Sequence, residues 1–532
     1  MSAWWQEAVF YHVYPRSFQD GNGDGVGDLA GIIGRLDYLS ETLGVDAVWL
    51  SPFYPSPMAD FGYDVADYCG VDPLFGDLGD FDRLLAAAHE RGLRLVVDLV
   101  PNHTSDRHPW FLESRSSRHS PRRDWYVWKD PGPGGGLPNN WQSLFDGPAW
   151  EWDATTGQYY LHSFLAEQPD LDWRNPAVRA AMHGVMGFWL DRGVDGFRID
   201  VADFLMKDPE FGDDPPPAAP VSDTEADGDV PATLRSRAHP DIHGVFREIR
   251  ALLDGYRPQR LAIGEIHEYD WSRWASYYGS DDELHLPFNF SMLHARWRAD
   301  GFRRRVEALE ASLPPVAWPN YVLGSHDEPR LAGRFGEGPS RVAAMLLLTL
   351  RGTPTLYYGD ELGLPQLEIP PERQQDPLGR RVPGQGRDGC RTPMPWDGAP
   401  NGGFCPAGVM PWLPLGPAAA ERNVEAELAD PRSHLSLYRA LLALRRRSPA
   451  LRRGAYQAIE SVPPGCFAYR RTHPGAEAMT VVLNFLPADV EVGGLPPGRI
   501  VASTCPDREN ELVPGRLRLG PDEGVVIEEG AV

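Results

Sequence analysis

The chain has 532 residues, 42% of them hydrophobic, enough for one large core with smaller appendages. Lys and Arg total 51 and Asp and Glu 75, and the net charge of −24 argues against nucleic acid and anionic membrane surfaces as partners. The five cysteines (Cys69, Cys390, Cys405, Cys466, Cys505) are odd in number and lack metal spacing, so they spell neither a disulfide framework nor a zinc site. No basic segment followed by an apolar run opens the sequence, and the longest apolar run, 342–350, is too short to span a bilayer. A cytoplasmic protein, monomeric or weakly self-associating, is the expectation.

In chain order, residues 8–14 read as a first strand, rich in aromatic and β-branched residues. Asp20-Gly-Asn22-Gly-Asp24-Gly-Val26-Gly-Asp28 follows. Oxygen-bearing side chains at alternate positions, spaced by glycine, resemble the first half of a calcium loop. Asp20, Asn22, Asp24 and Asp28, with the Val26 carbonyl, are therefore candidate ligands for Ca2+ or Mg2+. The plainer alternative is a polar glycine-rich turn, since the bidentate glutamate of a full EF-hand is missing.

A helix is predicted over 29–43, a buried strand over 47–50, and a loop carrying Phe61-Gly-Tyr63-Asp64. A second helix over 81–91, capped by Asp80, leads to an apolar strand over 93–99 that runs into Asp98-Leu-Val-Pro-Asn102-His103. Residues 104–172, rich in Pro, Gly and Trp and without a long helical period, are too many for a plain loop and read as an inserted domain. A helix ending at Asp191-Arg-Gly193 precedes the strand Gly196-Phe-Arg198-Ile-Asp200. Residues 213–240 are acidic and proline-rich, a loop-like insertion near the site. Then come a helix over 242–253, a strand over 261–264 ending in Glu265, a short strand over 284–290, and a strand over 321–324 ending in Ser325-His326-Asp327. A helix over 341–350 and a strand over 355–358 complete the alternation.

Eight strands separated by helices imply an α/β fold, specifically a closed (β/α)8 TIM barrel. A Pro/Gly-rich loop with Arg387 and Arg391 follows, then a closing helix over 435–446. Beyond 453, short alternating runs between Pro/Gly turns read as an antiparallel β-sandwich domain. The expected organisation is a barrel from 1–103 and 173–453, an insertion at 104–172 after strand three, and a β-domain at 454–532.

Functional groups of such barrels stand at the C-terminal ends of the strands. Here those ends carry His103, Arg198 with Asp200, Glu265, and His326 with Asp327. Any one of them has a bland reading as a cap, a turn or a salt bridge. Their joint occurrence at one rim points to function. Arg198 and Asp200 share a strand face, so the guanidinium should hold Asp200 as an anion. Glu265 follows an apolar run, where burial should keep a proton on it. An ionised and a protonated carboxyl together suit glycoside cleavage: Asp200 as nucleophile, Glu265 as acid then base, Asp327 on the ring hydroxyls.

The segments Asp98-Leu-Val-Pro-Asn-His103, Gly196-Phe-Arg-Ile-Asp200, Ile-Gly-Glu265-Ile and Ser325-His-Asp327, in this order and spacing, resemble the four signature regions of the α-amylase family of glycoside hydrolases (family 13). The opening Tyr14-Pro-Arg-Ser-Phe-Gln-Asp20 and Gln168-Pro-Asp-Leu-Asp-Trp173 are similar to its oligo-1,6-glucosidase/α-glucosidase branch. The resemblance implies a retaining double displacement with Asp200, Glu265 and Asp327 in the roles above. It implies that Asp64, His103, Arg198, His326 and Arg387 (with Arg391 as the alternative) hold the terminal glucose beside Tyr63 and Phe164. It implies a structural metal at Asp20–Asp28, no organic cofactor and a short oligosaccharide as substrate. Val201 after the nucleophile resembles enzymes that cleave α-1,6 bonds, so isomaltose-type substrates are expected, with maltose, trehalose and sucrose as further candidates. A glucosyl transferase or isomerase of the same family, trehalose synthase-like or sucrose-acting, is the alternative. A transporter heavy subunit is disfavoured, because this chain lacks a membrane helix and keeps all three carboxylates.

Overall fold

The computed structural model describes residues 3–216 and 234–530. Eight parallel strands form the central sheet: β1 (Phe10–Val13), β2 (Ala47–Leu50), β3 (Arg94–Leu99), β4 (Gly196–Ile199), β5 (Leu261–Gly264), β6 (Leu286–Pro287), β7 (Asn320–Val322) and β8 (Thr353–Tyr357). Hydrogen-bonded ladders run from β7 through β8 and β1 to β6. The remaining seam, between β6 and β7, is crossed by a single parallel bridge from Asn289 to Tyr321. The sheet is thus a nearly closed TIM barrel, as the alternation of strands and helices predicts.

Both faces of these strands are covered, which is why they read as almost unbroken apolar runs. Phe10, Ala47, Val96, Leu261, Ile263, Leu286 and Val322 share one buried cluster, while Tyr11, Val48, Leu95 and Val97 belong to the larger cluster with the helices. Period-two alternation in β1 to β4 therefore puts His12, Trp49, Asp98 and Arg198 on the same face as the first set, one step nearer the C-terminal end. His12 stacks on Trp49 with centroids 3.6 Å apart, and the Arg198 guanidinium lies 4.9 Å from the Trp49 ring. The strands thus change from an apolar lower layer to a polar upper one.

The helix predicted over 29–43 is not continuous. It runs Leu29–Gly34, leaves helical geometry at Arg35, and resumes as a π-helical turn Tyr38–Leu43 closed by Gly44 at φ 86°. The next helix, Leu78–Glu90, is capped by Asp77 rather than Asp80. The two form a reciprocal capping box, in which Asp80 bonds back to the Asp77 amide. Pro176–Arg192, Ile242–Asp254, Glu337–Thr349 and His434–Arg447 match the other predicted helices within a few residues.

Between β3 and β4 the chain forms a helix, Pro109–Ser116, and a three-stranded antiparallel sheet from Trp128–Lys129, Trp150–Asp153 and Gln158–Leu161. After the barrel it builds a six-stranded sheet and a two-stranded one around Val482, Ile500, Leu517 and Val525. The buried Arg471 ties this region to the barrel through the carbonyls of Thr349, Leu451 and Gly454. Of the acidic insertion read at 213–240, residues 217–233 lie outside the described residues. Among the described residues, no helix is long and apolar enough to cross a membrane.

Candidate active site

The upper end of the barrel opens into a cavity of about 480 Å³, within the usual range for small-ligand sites. Its lining includes Asp200, Glu265 and Asp327, together with Tyr63, His103, Phe164, His326 and Arg387. The strand ends thus converge as the sequence predicts.

Arg198 is the organising cation. Its side chain is 2% exposed, and it contacts three carboxylates: Nη1 donates to Asp98 Oδ1 (2.8 Å) and Asp200 Oδ1 (2.7 Å), and Nη2 to Glu265 Oε2 (2.5 Å). Just past β4, Val201 adopts φ 36° and ψ 50°, a left-handed conformation uncommon for a β-branched residue. The turn aims the Val201 amide at Glu265 Oε2, 2.9 Å away. The two signature segments are also joined through main chain: the Glu265 amide donates to Ile199 O (3.0 Å) and the Ala202 amide to Glu265 O (2.9 Å).

One guanidinium among three buried carboxylates leaves an excess of negative charge. The expectation that Arg198 alone keeps Asp200 ionised needs correcting. Burial is the larger influence and raises the Asp200 carboxyl well above its ordinary value, with Glu265 and Asp98 adding to it and Arg198 opposing. Asp98 is pushed up to about 6, also by burial first. Asp98 and Asp200 are thus both pushed up by burial although they share the same cation.

Asp327 is the opposite case. Burial alone would raise it, but His326, Arg387 and Arg391 outweigh that and hold it well below the usual carboxylate range. Arg387 Nη1 and Arg391 Nη2 donate to Asp327 Oδ1 at 3.0 and 2.9 Å, so both candidate arginines reach this carboxylate. Arg387 is the one that lines the cavity, anchored from behind by Asp376 and paired in front with Asp60 at 2.7 Å. Burial lowers His103 to about 4 and His326 to about 3, so both are neutral at pH 7 and act as hydrogen-bonding groups. Tyr63 lies parallel to His326, with centroids 5.3 Å apart, and its hydroxyl donates to Asp98 Oδ2 (3.1 Å).

Two of the expected substrate contacts do not line the cavity: Arg198, which is buried beneath it among Asp98, Asp200 and Glu265, and Asp64. The Asp64 carboxylate accepts from Ser56 Oγ and from the Ala59 and Asp60 amides, and so braces the loop from behind. Four residues earlier, Asp60 takes the position facing Arg387 and Gln168. The loop has no secondary-structure period, so nothing in the sequence says which aspartate turns inward. Asp98, Gln168, Phe145, His267 and Glu328 were also missed as site residues. Asp98 and Gln168 stood in quoted motifs, and inward-facing Asp98 could have been found from the β3 alternation.

The Asp20–Asp28 loop has the all-oxygen donor chemistry of a calcium or magnesium site. Its side chains also accept hydrogen bonds from nearby main-chain amides. Asp20 accepts from Gly23 and Gly25, Asn22 from Asp24, Asp24 from Val26, and Asp28 from Gly21, Asn22 and Gly31. Among the described residues no three His, Cys, Asp or Glu side chains are arranged to hold a metal.

A barrel with three carboxyls around a cavity at its C-terminal rim is the arrangement that barrel glycosidases use. The comparisons make the assignment specific. The family model for the alpha amylase catalytic domain matches residues 12–454. A probable alpha-glucosidase of Rhizobium meliloti (strain 1021) is 43% identical over 478 residues, 86% of this chain and 85% of that protein. The oligo-1,6-glucosidase of Parageobacillus thermoglucosidasius is 40% identical over 520 residues, 91% of this chain and 90% of its own. The crystal structure of XgtA, an alpha-glucosyl transfer enzyme, superposes with a TM-score of 0.90 at 41% identity, covering 99% of this chain and all of that one. The chain belongs to the alpha-amylase family of glycoside hydrolases, in its α-glucosidase/oligo-1,6-glucosidase branch.

Proposed function

We propose that the protein is an exo-acting, retaining α-glucosidase that releases α-glucose from the non-reducing end of short α-glucosides through a covalent glucosyl-enzyme intermediate. The observation that carries this reading is the span of one guanidinium across Asp200 and Glu265. Two carboxylates held by one guanidinium are neighbours, which is compatible with the carboxyl separation of about 5–5.5 Å of a retaining pair.

In the productive state Glu265 carries the proton to be donated and Asp200 is ionised. Glu265 Oε2 already accepts from Arg198 and Val201, so the proton belongs on Oε1. Asp200 attacks the anomeric carbon while Glu265 protonates the leaving oxygen, and Glu265 then takes a proton from the water that releases the sugar. Asp327, ionised, accepts from ring hydroxyls as positive charge develops on the sugar. Asp60 with Arg387, and neutral His103 and His326, position the terminal glucose. Val201 lines the cavity, and we read it as favouring α-1,6 over α-1,4 linkages, with isomaltose and isomalto-oligosaccharides first among the substrates. Isomaltose, maltose, trehalose and sucrose offered to purified protein, with product identification and the anomer followed from the first turnover, test the whole reading. First release of β-glucose would refute retention.

A second reading, glucosyl transfer to a sugar acceptor, is favoured by the likeness to XgtA. Transfer products accumulating at low substrate concentration would select it. We also keep, as a proposal, a divalent cation of structural role at Asp20–Asp28, supported by its oxygen donor set and tested by chelation below.

A further inference from the structure

Past β4 and β5 the chain places one more charged pair against the acid/base candidate. Asp203 stands three residues after Asp200, and His267 two residues after Glu265. The His267 amide donates to Asp203 Oδ2 at 3.3 Å, and its Nδ1 lies 3.4 Å from Asp203 Oδ1. The other ring nitrogen, Nε2, lies 3.5 Å from Glu265 Oε1. The Asp203 side chain is 1% exposed, and His267 lines the cavity. Phe204 packs edge-on against the imidazole and Phe290 lies tilted to it, with centroids at 6.2 and 5.3 Å.

Resting on the reading of Glu265 as acid/base, we propose that His267, oriented by Asp203, is the positioning residue for Glu265: its Nε2 faces Oε1 and, as a cation, stabilises the carboxylate left after donation. Oε2 is taken by Arg198 and the Val201 amide, so Oε1 is the oxygen whose surroundings remain to be set, and His267 sets them. In the first step the Oε1 proton passes to the glycosidic oxygen as its bond to the anomeric carbon breaks. The imidazolium keeps both its protons throughout and faces the new charge. In the second step Glu265 recovers a proton from the attacking water as the bond to Asp200 breaks.

The groups around His267 act in both directions. Burial disfavours its charged form, but Asp203 and Glu265 outweigh burial and raise it above the ordinary histidine value, while Arg237 opposes them. His294 and Glu328 also interact with it electrostatically. An imidazolium 3.5 Å from Oε1 stabilises the carboxylate left after donation, and losing the cation removes that stabilisation.

The test measures kcat/KM against pH for His267→Asn, His267→Lys and Asp203→Asn on isomaltose and on α-glucosyl fluoride, whose leaving group needs no protonation. For His267→Asn the alkaline limb on isomaltose should move up by about one pH unit. Its kcat/KM at the optimum should fall about tenfold on isomaltose and stay within about twofold on the fluoride, within the range that general acid catalysis contributes. His267→Lys, which retains the charge, should keep the limb in place, and Asp203→Asn should move it upward by less. An unmoved limb in His267→Asn, or equal losses on both substrates, overturns the proposal. Should His267→Asn fail to fold, the Lys and Asp203 variants carry the same test. Glu265→Gln is the control: equal losses on both substrates there would bring down the acid/base assignment itself, which is a separate failure.

Discussion

Replacing Arg198 by lysine is the most revealing perturbation, because one buried guanidinium holds three carboxylates with two nitrogens at 2.5–2.8 Å. A lysine ammonium is a single point of charge on a flexible stem and lacks the planar fork. It can serve one carboxylate well and leaves at least two short of a charge-assisted hydrogen bond, each about 1.5–3 kcal/mol. The sum, about 3–6 kcal/mol, agrees with the roughly 3–5 kcal/mol of breaking a buried ion pair. For a protein this large that corresponds to a thermal midpoint lower by very roughly 3–10 °C at pH 8, extrapolating from smaller domains.

The pH dependence is the sharper part of the prediction. Asp98 and Asp200 are raised above their unfolded values even with Arg198 present. Such acids destabilise the fold while both states are ionised, and the penalty is relieved as pH falls through the folded pKa and the buried carboxyl takes a proton. With Asp98 already at about 6, losing the fork raises it further. The deficit of the variant relative to wild type should therefore shrink between pH 8 and pH 5. Differential scanning calorimetry of both proteins at a fixed scan rate decides it. A deficit that grows on acidification, or a midpoint within 1–2 °C of wild type at pH 8, would show that Arg198 is not what offsets the buried charge.

Asp200→Asn should lower kcat by several orders of magnitude with the circular dichroism spectrum unchanged, because the covalent route needs this oxygen as an anion; near-normal hydrolysis would falsify its assignment as nucleophile. Asp60→Asn should reduce kcat/KM by about 10²–10³, typical for one charged transition-state contact, whereas Asp64→Asn should act mainly on the melting temperature; the reverse pattern would restore the residue expected from sequence. Val201→Ala should shift the isomaltose-to-maltose ratio of kcat/KM towards maltose, by no more than about 10–200-fold for so small an apolar change, and an unaltered ratio removes Val201 from specificity. Chelation should lower the melting temperature while leaving the initial rate at low temperature unchanged; identical melting curves would return Asp20–Asp28 to a plain turn.

The barrel was legible because its strands are buried on both faces and its helices carry recognisable stops, so composition and period agree from 8 to 358. The three carboxylates were legible for a related reason: a strand end is a position that alternation can count. Asp60 and Asp64 differ only by how a loop curls, and a loop has no period to count. The break at Arg35 was equally hidden, since the apolar spacing of 29–43 continues through a change from α to π winding. Charge states were the least readable. Next to Arg198, Asp200 looks anionic in one dimension, but burial with two further carboxylates reverses the balance, and those partners lie 100 and 67 residues from Arg198.

Seven of the barrel's eight inter-strand joints are ladders, and the eighth is the lone bridge from Asn289 to Tyr321. A hoop fastened this way has a preferred place to part. Thermal fluctuation should unzip it there first, exposing the amides around β6 and β7 to deuterium sooner than those of β2 to β4. His326 and Asp327 ride on the stave beside that joint, so the least fastened part of the hoop carries one wall of the sugar's seat.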